Sequence, residues 1–499
     1  MIDNILDYLK PTAKRLPDKV AFADEKTELT FLELDQITDS IATCLHQKGY
    51  YKEPILIYMK KSPEEIASFY GVIRSGCFYV PIDDEMPLAR IRLIIENCHP
   101  RACIVGRDML SNEKELGFDG EVIVYEDIMN TPHDEDALDL IHERAIDTDP
   151  IYIVFTSGST GVPKGVCACH RSVIDYVNQL SDSLHFDQDT VFGNQTPLYF
   201  DACLKEVYPT IMFGATTYLI PHEYFSFPVK LVTYLNEKKI NTICWVVSAL
   251  TMISAFNTFN DIVPQYLRTV AFGSEVFPIK QYRKWRKALP NTEFYNLYGP
   301  TEGTGMSCIY HCPETFEDDE VIPIGKPFHN TEVILLKEDN TRAAQGEEGE
   351  ICLRGTCVTL GYYNNPEKTS ESYTQNPLNT AYPELIYRTG DLAIEREDGN
   401  LVFVSRKDYQ IKHMGHRIEL GEIEADVSAI DGVKICACVY DRVKSKIKLF
   451  YVGDMEPGEL IEEMKKSLPR YMLPNRTKKL EEMPFTANGK IDRKTLQTM

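Results

Sequence analysis

Residues 152 to 166 read YIVFTSGSTGVPKGV. An apolar, β-branched run ends in Thr156, Ser157, Gly158, Ser159, Thr160 and Gly161, followed by Pro163, Lys164 and Gly165. The run is a buried strand in pattern, and the segment after it is a turn of small residues. Small residues let backbone N–H groups approach an oxyanion, hydroxyls add donors, and a lysine adds positive charge. The loop therefore reads as a phosphate cradle, although without the GK[ST] ending of the Walker pattern.

The flanking sequence extends this reading. Short β-branched runs such as PILIYM, RACIVG, EVIVYE and TTYLIP alternate with helical periodicity, which predicts largely parallel strands flanked by helices. From about Val321 to Val404, strands separated by Gly, Asn and Asp turns predict antiparallel β structure. After SRKDYQIKHMGHRIE a shorter α+β region follows, with strands ICACVY and IKLFYVG and the helix PGELIEEMKKSL. The expected organisation is a large N-terminal domain over 1–405, of mixed sheets flanked by helices plus a β-rich subdomain, and a small mobile α+β domain over 406–499. At 499 residues, more than one domain is expected.

Composition narrows the function classes. The net charge of −22 argues against nucleic acid or anionic membrane as the main partner. From Tyr409 onward, however, sixteen Lys and Arg face fourteen Asp and Glu, so a near-neutral segment follows an acidic body. Such a segment suits an acidic protein partner, or is simply an unevenly charged surface. The fourteen cysteines are scattered, the first residues carry acids in place of a leader's apolar stretch, and a cytoplasmic enzyme is expected. Cys308, His311 and Cys312 in CIYHC raise the question of zinc, but the surrounding alternation favours a strand.

The loop resembles the phosphate loop of the acyl-adenylating superfamily, which includes acyl-CoA synthetases, luciferases and the adenylation domains of nonribosomal peptide synthetases. Eight further motifs follow in that family's order: LTFLEL at 29–34, GCFYVPID at 76–83, YFDACLKE at 199–206, NLYGPTEG at 296–303, GEICLRG at 349–355, YRTGDL at 387–392, GHRIELGEIE at 415–424 and NGKIDRKTL at 488–496. GCFYVPID and NGKIDRK point to the amino-acid-activating branch, which includes the D-alanine–carrier-protein ligases. Those ligases carry a cysteine where this chain has Gly273, and they differ after the YFDA aspartate, so the chain is not read as one of them.

The resemblance implies an ATP- and Mg²⁺-dependent adenylating ligase. Thr156 to Gly161 and Lys164 would hold phosphates, Tyr298 would wall the adenine with Asn296 and Gly299 also binding the nucleotide, and Thr301 would contact the α-phosphate. Glu302 would ligate Mg²⁺, Asp391 and Arg406 would bind ribose, and Lys490 would stabilise the transition state between carboxylate and α-phosphate. Physical chemistry agrees: two anions must be aligned and their charge offset. Asp408 matches the hinge about which relatives turn the small domain between adenylation and thioester formation, and Gly415 to Glu424 would line the thiol tunnel in the second state. Asp201 would bind a substrate α-ammonium, with Ala202, Lys205, Cys244, Val270, Phe272, Leu297, Gly305 and Met306 around it. Phe272 and Leu297 would narrow that pocket, predicting a small substrate. Lys205, one helical turn from Asp201, could bind an acidic side chain, pair with Asp201 or reach solvent. The chain stops three residues after Leu496, so the acceptor thiol is expected on a separate carrier protein, with coenzyme A as the rival. Lys444, Lys446 and Lys448 would face such a carrier or protect a strand edge. A silent binding relative is disfavoured, because Lys164, Glu302, Asp391 and Lys490 are all present.

Overall fold

The computed structural model describes residues 2–158, 162–317, 320–407, 410–441, 444–485 and 491–499. Its central feature is a pair of large, mainly parallel sheets. The seven-stranded sheet runs in the order Gly361–Tyr362, Lys164–Cys169, Pro150–Thr156, Phe78–Ile82, Pro54–Tyr58, Ala102–Val105, Glu121–Val124. The nine-stranded sheet centres on the parallel strands Glu293–Tyr298, Thr269–Gly273, Thr242–Val246, Val191–Asn194 and Thr216–Leu219. Every residue of Pro54–Tyr58 and of Phe78–Ile82 is buried, as expected of strands covered on both faces. Local signals agree with the fold. In LTFLEL, Thr30 caps the helix Phe31–Gln47 and Glu33 reaches back to complete a capping box.

A five-stranded antiparallel sheet follows, built on Thr331–Leu336, Glu348–Gly355, Leu385–Glu395 and Leu401–Arg406. Beyond it, the hairpin Gln410–His413 and His416–Glu419 leads to a three-stranded sheet of Val433–Asp441, Lys446–Gly453 and Arg476–Lys479, covered by Leu420–Ser428 and Pro457–Met464. The apolar clusters formed beyond residue 410 contain no residue from before it. Lys446 and Lys448 lie on the middle strand of this sheet, and Lys448 pairs with Asp441 at 3.4 Å, so neither protects a strand edge. Cys308–His311 is a strand, as its alternation predicts. No helix among the described residues is long and apolar enough to cross a membrane.

Candidate active site

Thr156 and Lys164 are cross-strand partners, so the segment read from sequence as a phosphate cradle connects two antiparallel strands of the seven-stranded sheet. Gly158 is required there, because a Cβ on it would stand 2.1 Å from the Val162 carbonyl oxygen. Ser159, Thr160 and Gly161 of this loop, together with Asp408 and Lys490, lie outside the described residues. Tyr298 ends a strand of the nine-stranded sheet, and a 3-10 turn, Thr301–Gly303, presents Thr301 and Glu302 just beyond it. Asp391 and Arg406 are neighbours across the antiparallel sheet. A cavity opens where these elements meet, lined among others by Thr156, Ser157, Asp201, Ala202, Gly299, Thr301, Gly305, Met306, Asp391 and Arg406. It lies at the carboxyl ends of the parallel strands, the usual ligand position in an open α/β sheet.

Glu302 is the electrostatic centre. It is fully buried, and its two oxygens accept hydrogen bonds from Tyr362 Oη at 2.7 Å and Arg417 Nη1 at 2.6 Å. Burial alone would raise its pKa, but Arg417, Lys164 and the Tyr362 hydroxyl outweigh it and hold the carboxyl at about 2. A permanently ionised oxygen donor of this kind fits a hard divalent cation. Burial pushes Lys164 down to about 8, Arg417 adds to the shift and Glu302 opposes it. Asp391 accepts from Tyr298 Oη at 2.5 Å and from Arg406 Nη1 at 2.5 Å, so its carboxylate is held rigidly at the rim of the cavity. Lys412 Nζ stands 5.2 Å over the Tyr298 ring.

The segment carrying GHRIELGEIE sits directly on this site. Ser157 Oγ donates to the Arg417 carbonyl at 2.7 Å, and the Gly158 amide donates to Glu422 Oε2 at 3.2 Å. Glu422 is held in turn by Arg90 at 2.6 Å. Gly415, at φ +81°, lies so close to Val246 that a Cβ would fall 2.4 Å from its Cγ1. Arg90, Lys412, Arg417 and Tyr362 were not singled out from sequence. Arg417 lies inside a quoted motif, but its partner Glu302 is 115 residues away and no local signal joins them.

Asp201 opens a 3-10 turn, Asp201–Cys203, with Phe200 in the capping position. Burial pushes its pKa up to about 6, opposed by Lys205, the Thr301 hydroxyl and the Gly305 amide. Ala202, Gly305 and Met306 line the same cavity, and Cys244 and Leu297 pack on the same face of the sheet. Val270 and Phe272 do not. Strand side chains alternate, and these two point to the opposite face, where Phe272 packs on Phe277 at 4.9 Å and both join the cluster around Trp245. The expected narrowing of the pocket by Phe272 is therefore corrected, and Ala271 occupies the pocket-side position. Asn296 shares the far face with Phe272, and its amide donates to the Pro323 carbonyl at 2.8 Å. Lys205 is buried, at 5% exposure, which removes the solvent-reaching alternative.

A family described as AMP-binding enzyme matches residues 9–363. The chain belongs to this family. It is an adenylate-forming ligase, and the matched stretch includes the Thr156–Lys164 segment and the YGPTE turn described above. Tyrocidine synthase 1 of Brevibacillus parabrevis is 31% identical over 504 residues, covering 99% of this chain and 45% of its own length. The chain thus spans less than half of that relative. Zwittermicin A synthase ZmaJ of Bacillus cereus is 30% identical over 496 residues, covering 97% of this chain and 92% of itself. Among solved structures, the Vibrio cholerae adenylation domain AlmE, in complex with glycyl-adenosine-5′-phosphate, superposes with a TM-score of 0.85 at 20% identity over 100% of this chain and 98% of that one, a likeness of fold.

Proposed function

We propose that this adenylating ligase activates the carboxylate of an amino acid as aminoacyl-AMP and passes the acyl group to the phosphopantetheine thiol of a carrier protein. The observation that carries the amino-acid part is Asp201: a half-buried carboxylate at the cavity wall, with Lys205, Thr301 and Gly305 around it and no counter-ion in direct contact among the described residues. An α-ammonium placed there would complete the charge balance. Cationic Lys205, buried behind it, adds a group able to hold an acidic or other acceptor-bearing side chain.

In this reading the loop from Thr156 and Lys164 hold the β- and γ-phosphates, Thr301 steadies the α-phosphate, and Asp391 with Arg406 fix the ribose. Glu302 would hold Mg²⁺, which when bound supplies positive charge to offset that of the phosphates. Glu302 is ready for it once Arg417 releases Oε2, which ties metal binding to movement of the 415–424 segment. Lys490, outside the described residues, would supply the cation between the reacting carboxylate and the α-phosphate. We further propose a boundary between 1–405 and 406–499 with Asp408 as hinge. The separate apolar clusters beyond residue 410 support it, as does the way Gly415 to Glu422 occupy the site. With that segment in place, a thiol approaches along Gly415, and with it withdrawn Lys490 takes its turn. The near-neutral charge of the last ninety or so residues suits an acidic carrier protein.

Amino-acid-dependent ATP–pyrophosphate exchange across all proteinogenic and D-amino acids tests the proposal. Exchange with at least one amino acid, lost in Asp201→Ala, is the expected result. Activity only with plain acids and coenzyme A would overturn it in favour of an acyl- or aryl-CoA synthetase.

A further inference from the structure

Behind Asp201 lies a set of polar groups that neither the motifs nor the reaction accounts for. Tyr176 on the helix His170–Leu184, Asn194 at the end of the strand Val191–Asn194, and Glu206 on the helix Leu204–Phe213 are all buried. Tyr176 Oη, Asn194 Oδ1 and Glu206 Oε1 each lack a hydrogen-bond partner. Three elements thus bring three orphaned atoms to one region, where Tyr176 feels Cys244, Asp201 and Glu206, and Lys205 acts on Asp201, Glu206 and Cys244. Lys205 itself makes no direct ion pair among the described residues. The Tyr176 ring forms the wall opposite Gly305, where a Cβ would fall 2.8 Å from it, and Gly305 lines the cavity beside Asp201 and Met306. None of these four side chains lines the cavity itself, and Tyr176 meets it through Gly305. Buried polar atoms left unpaired are costly, so their grouping just behind the cavity wall points to a ligand group that reaches in and pairs them.

We propose that Tyr176, Asn194 and Glu206, together with Lys205, read the substrate's side chain and select one that ends in a carboxamide. This rests on the amino-acid reading, in which Asp201 takes the α-ammonium. The three orphaned atoms and the neighbouring Lys205 divide into two donors and two acceptors. Lys205 can only donate, and the Tyr176 hydroxyl can donate. Glu206 Oε1 accepts when ionised, and Asn194 Oδ1 always accepts. The Asn194 amide is oriented by its neighbour: its Nδ2 donates to Glu206 Oε2 at 3.3 Å, which leaves Oδ1 turned outward. A carboxamide matches this set, its oxygen accepting from Lys205 and Tyr176 while its nitrogen donates to Glu206 and Asn194. A carboxylate would satisfy the two donors but set its own lone pairs against both acceptors. Burial pushes Glu206 up to about 7, with Lys205 and the Asn194 amide holding it down, so it is mostly an acceptor above neutrality.

The test is ATP–pyrophosphate exchange by the full chain at about pH 8, where Glu206 is ionised, comparing glutamine and asparagine with glutamate and aspartate in both chiral forms. Carboxamide substrates should exceed their carboxylate counterparts in kcat/KM by about tenfold or more, the difference one unsatisfied charged hydrogen bond makes. In Glu206→Gln the amide oxygen can keep accepting from Asn194 Nδ2, which puts an NH2 donor where Oε1 stood. That should shift the carboxamide-to-carboxylate ratio by about tenfold toward carboxylate, a reversal that loss of packing would not produce. Tyr176→Phe should lower carboxamide kcat/KM by about tenfold, with ATP binding intact as the control for folding. A wild-type preference for carboxylate or apolar amino acids, or a Glu206→Gln effect equal on both classes, would overturn the proposal while leaving amino-acid activation standing. Absence of exchange with every amino acid would instead remove the reading beneath it.

Discussion

Replacing Arg417 with methionine leaves Glu302 as a buried carboxylate whose principal counter-ion is gone. Its pKa, held near 2 against an ordinary value near 4.5, corresponds to about 3 kcal/mol of stabilisation at neutral pH. That figure agrees with the ~3–5 kcal/mol expected when one partner of a buried ion pair is removed. Because the carboxyl is depressed, this stabilisation is complete above about pH 4.5 and is lost as pH falls through about 2, so neutral pH shows the whole effect. The pair joins the 415–424 segment to the YGPTE turn, so the loss should appear first as local opening, before global unfolding. Amide hydrogen exchange reads this directly. Protection at Ser157–Gly158 and across residues 415–422 should fall by about two orders of magnitude in Arg417→Met, as ~3 kcal/mol requires. In a Glu302→Gln background the same substitution should cost under about 1 kcal/mol, because no buried charge remains to strand. A change below about threefold, or an equal change in both backgrounds, would refute the assignment of Arg417 as the partner that keeps Glu302 ionised.

Asp391→Asn should weaken ATP binding by about a hundredfold in calorimetry and lower thermal stability, since the Arg406 guanidinium then loses its buried counter-charge. The KM for an amino acid should fall as pH rises from about 5 to 7, because Asp201, at about 6, must ionise to hold an ammonium, while desamino acids should show no such trend in a kinetic pH series. Gly415→Ala places a Cβ against Val246 at a positive φ, so thiol transfer, followed by mass spectrometry of an acylated carrier, should slow at least about tenfold more than pyrophosphate exchange.

The strand leading into the Thr156–Lys164 segment was legible because its signal is local: an apolar, β-branched run ends abruptly in small and hydroxyl residues. Parallel strands were legible for a similar reason, as runs such as PILIY are buried along their whole length. Pairings at a distance were not. Arg417 and Glu302 meet only once the chain has folded, and Tyr176 sits in a stripe with Val173, Val177 and Leu180 that reads simply as a helix's core face. Motif order located Val270 and Phe272 in the chain but not which side of the sheet they take, and a period of two makes that an all-or-none error. The burial of Lys205 likewise depended on what packs over its helix, and the helical spacing from Asp201 alone left three fates open.

The carboxylate of Glu422 lies where the phosphate loop offers its Gly158 amide, and the Arg417 carbonyl takes the Ser157 hydroxyl. Both are oxygen acceptors, as phosphate is, so on the function proposed above the chain carries an internal competitor for its own nucleotide. A tethered competitor acts at the high effective concentration its linkage confers, undiminished by dilution. Polyphosphate must therefore expel a resident rival on entry. When pyrophosphate leaves, that rival returns without waiting on diffusion, which makes the loop a poor place for pyrophosphate to rebind. Commitment to the acyl-adenylate then depends on how fast a short segment falls back, and only in part on how dilute the cell keeps pyrophosphate.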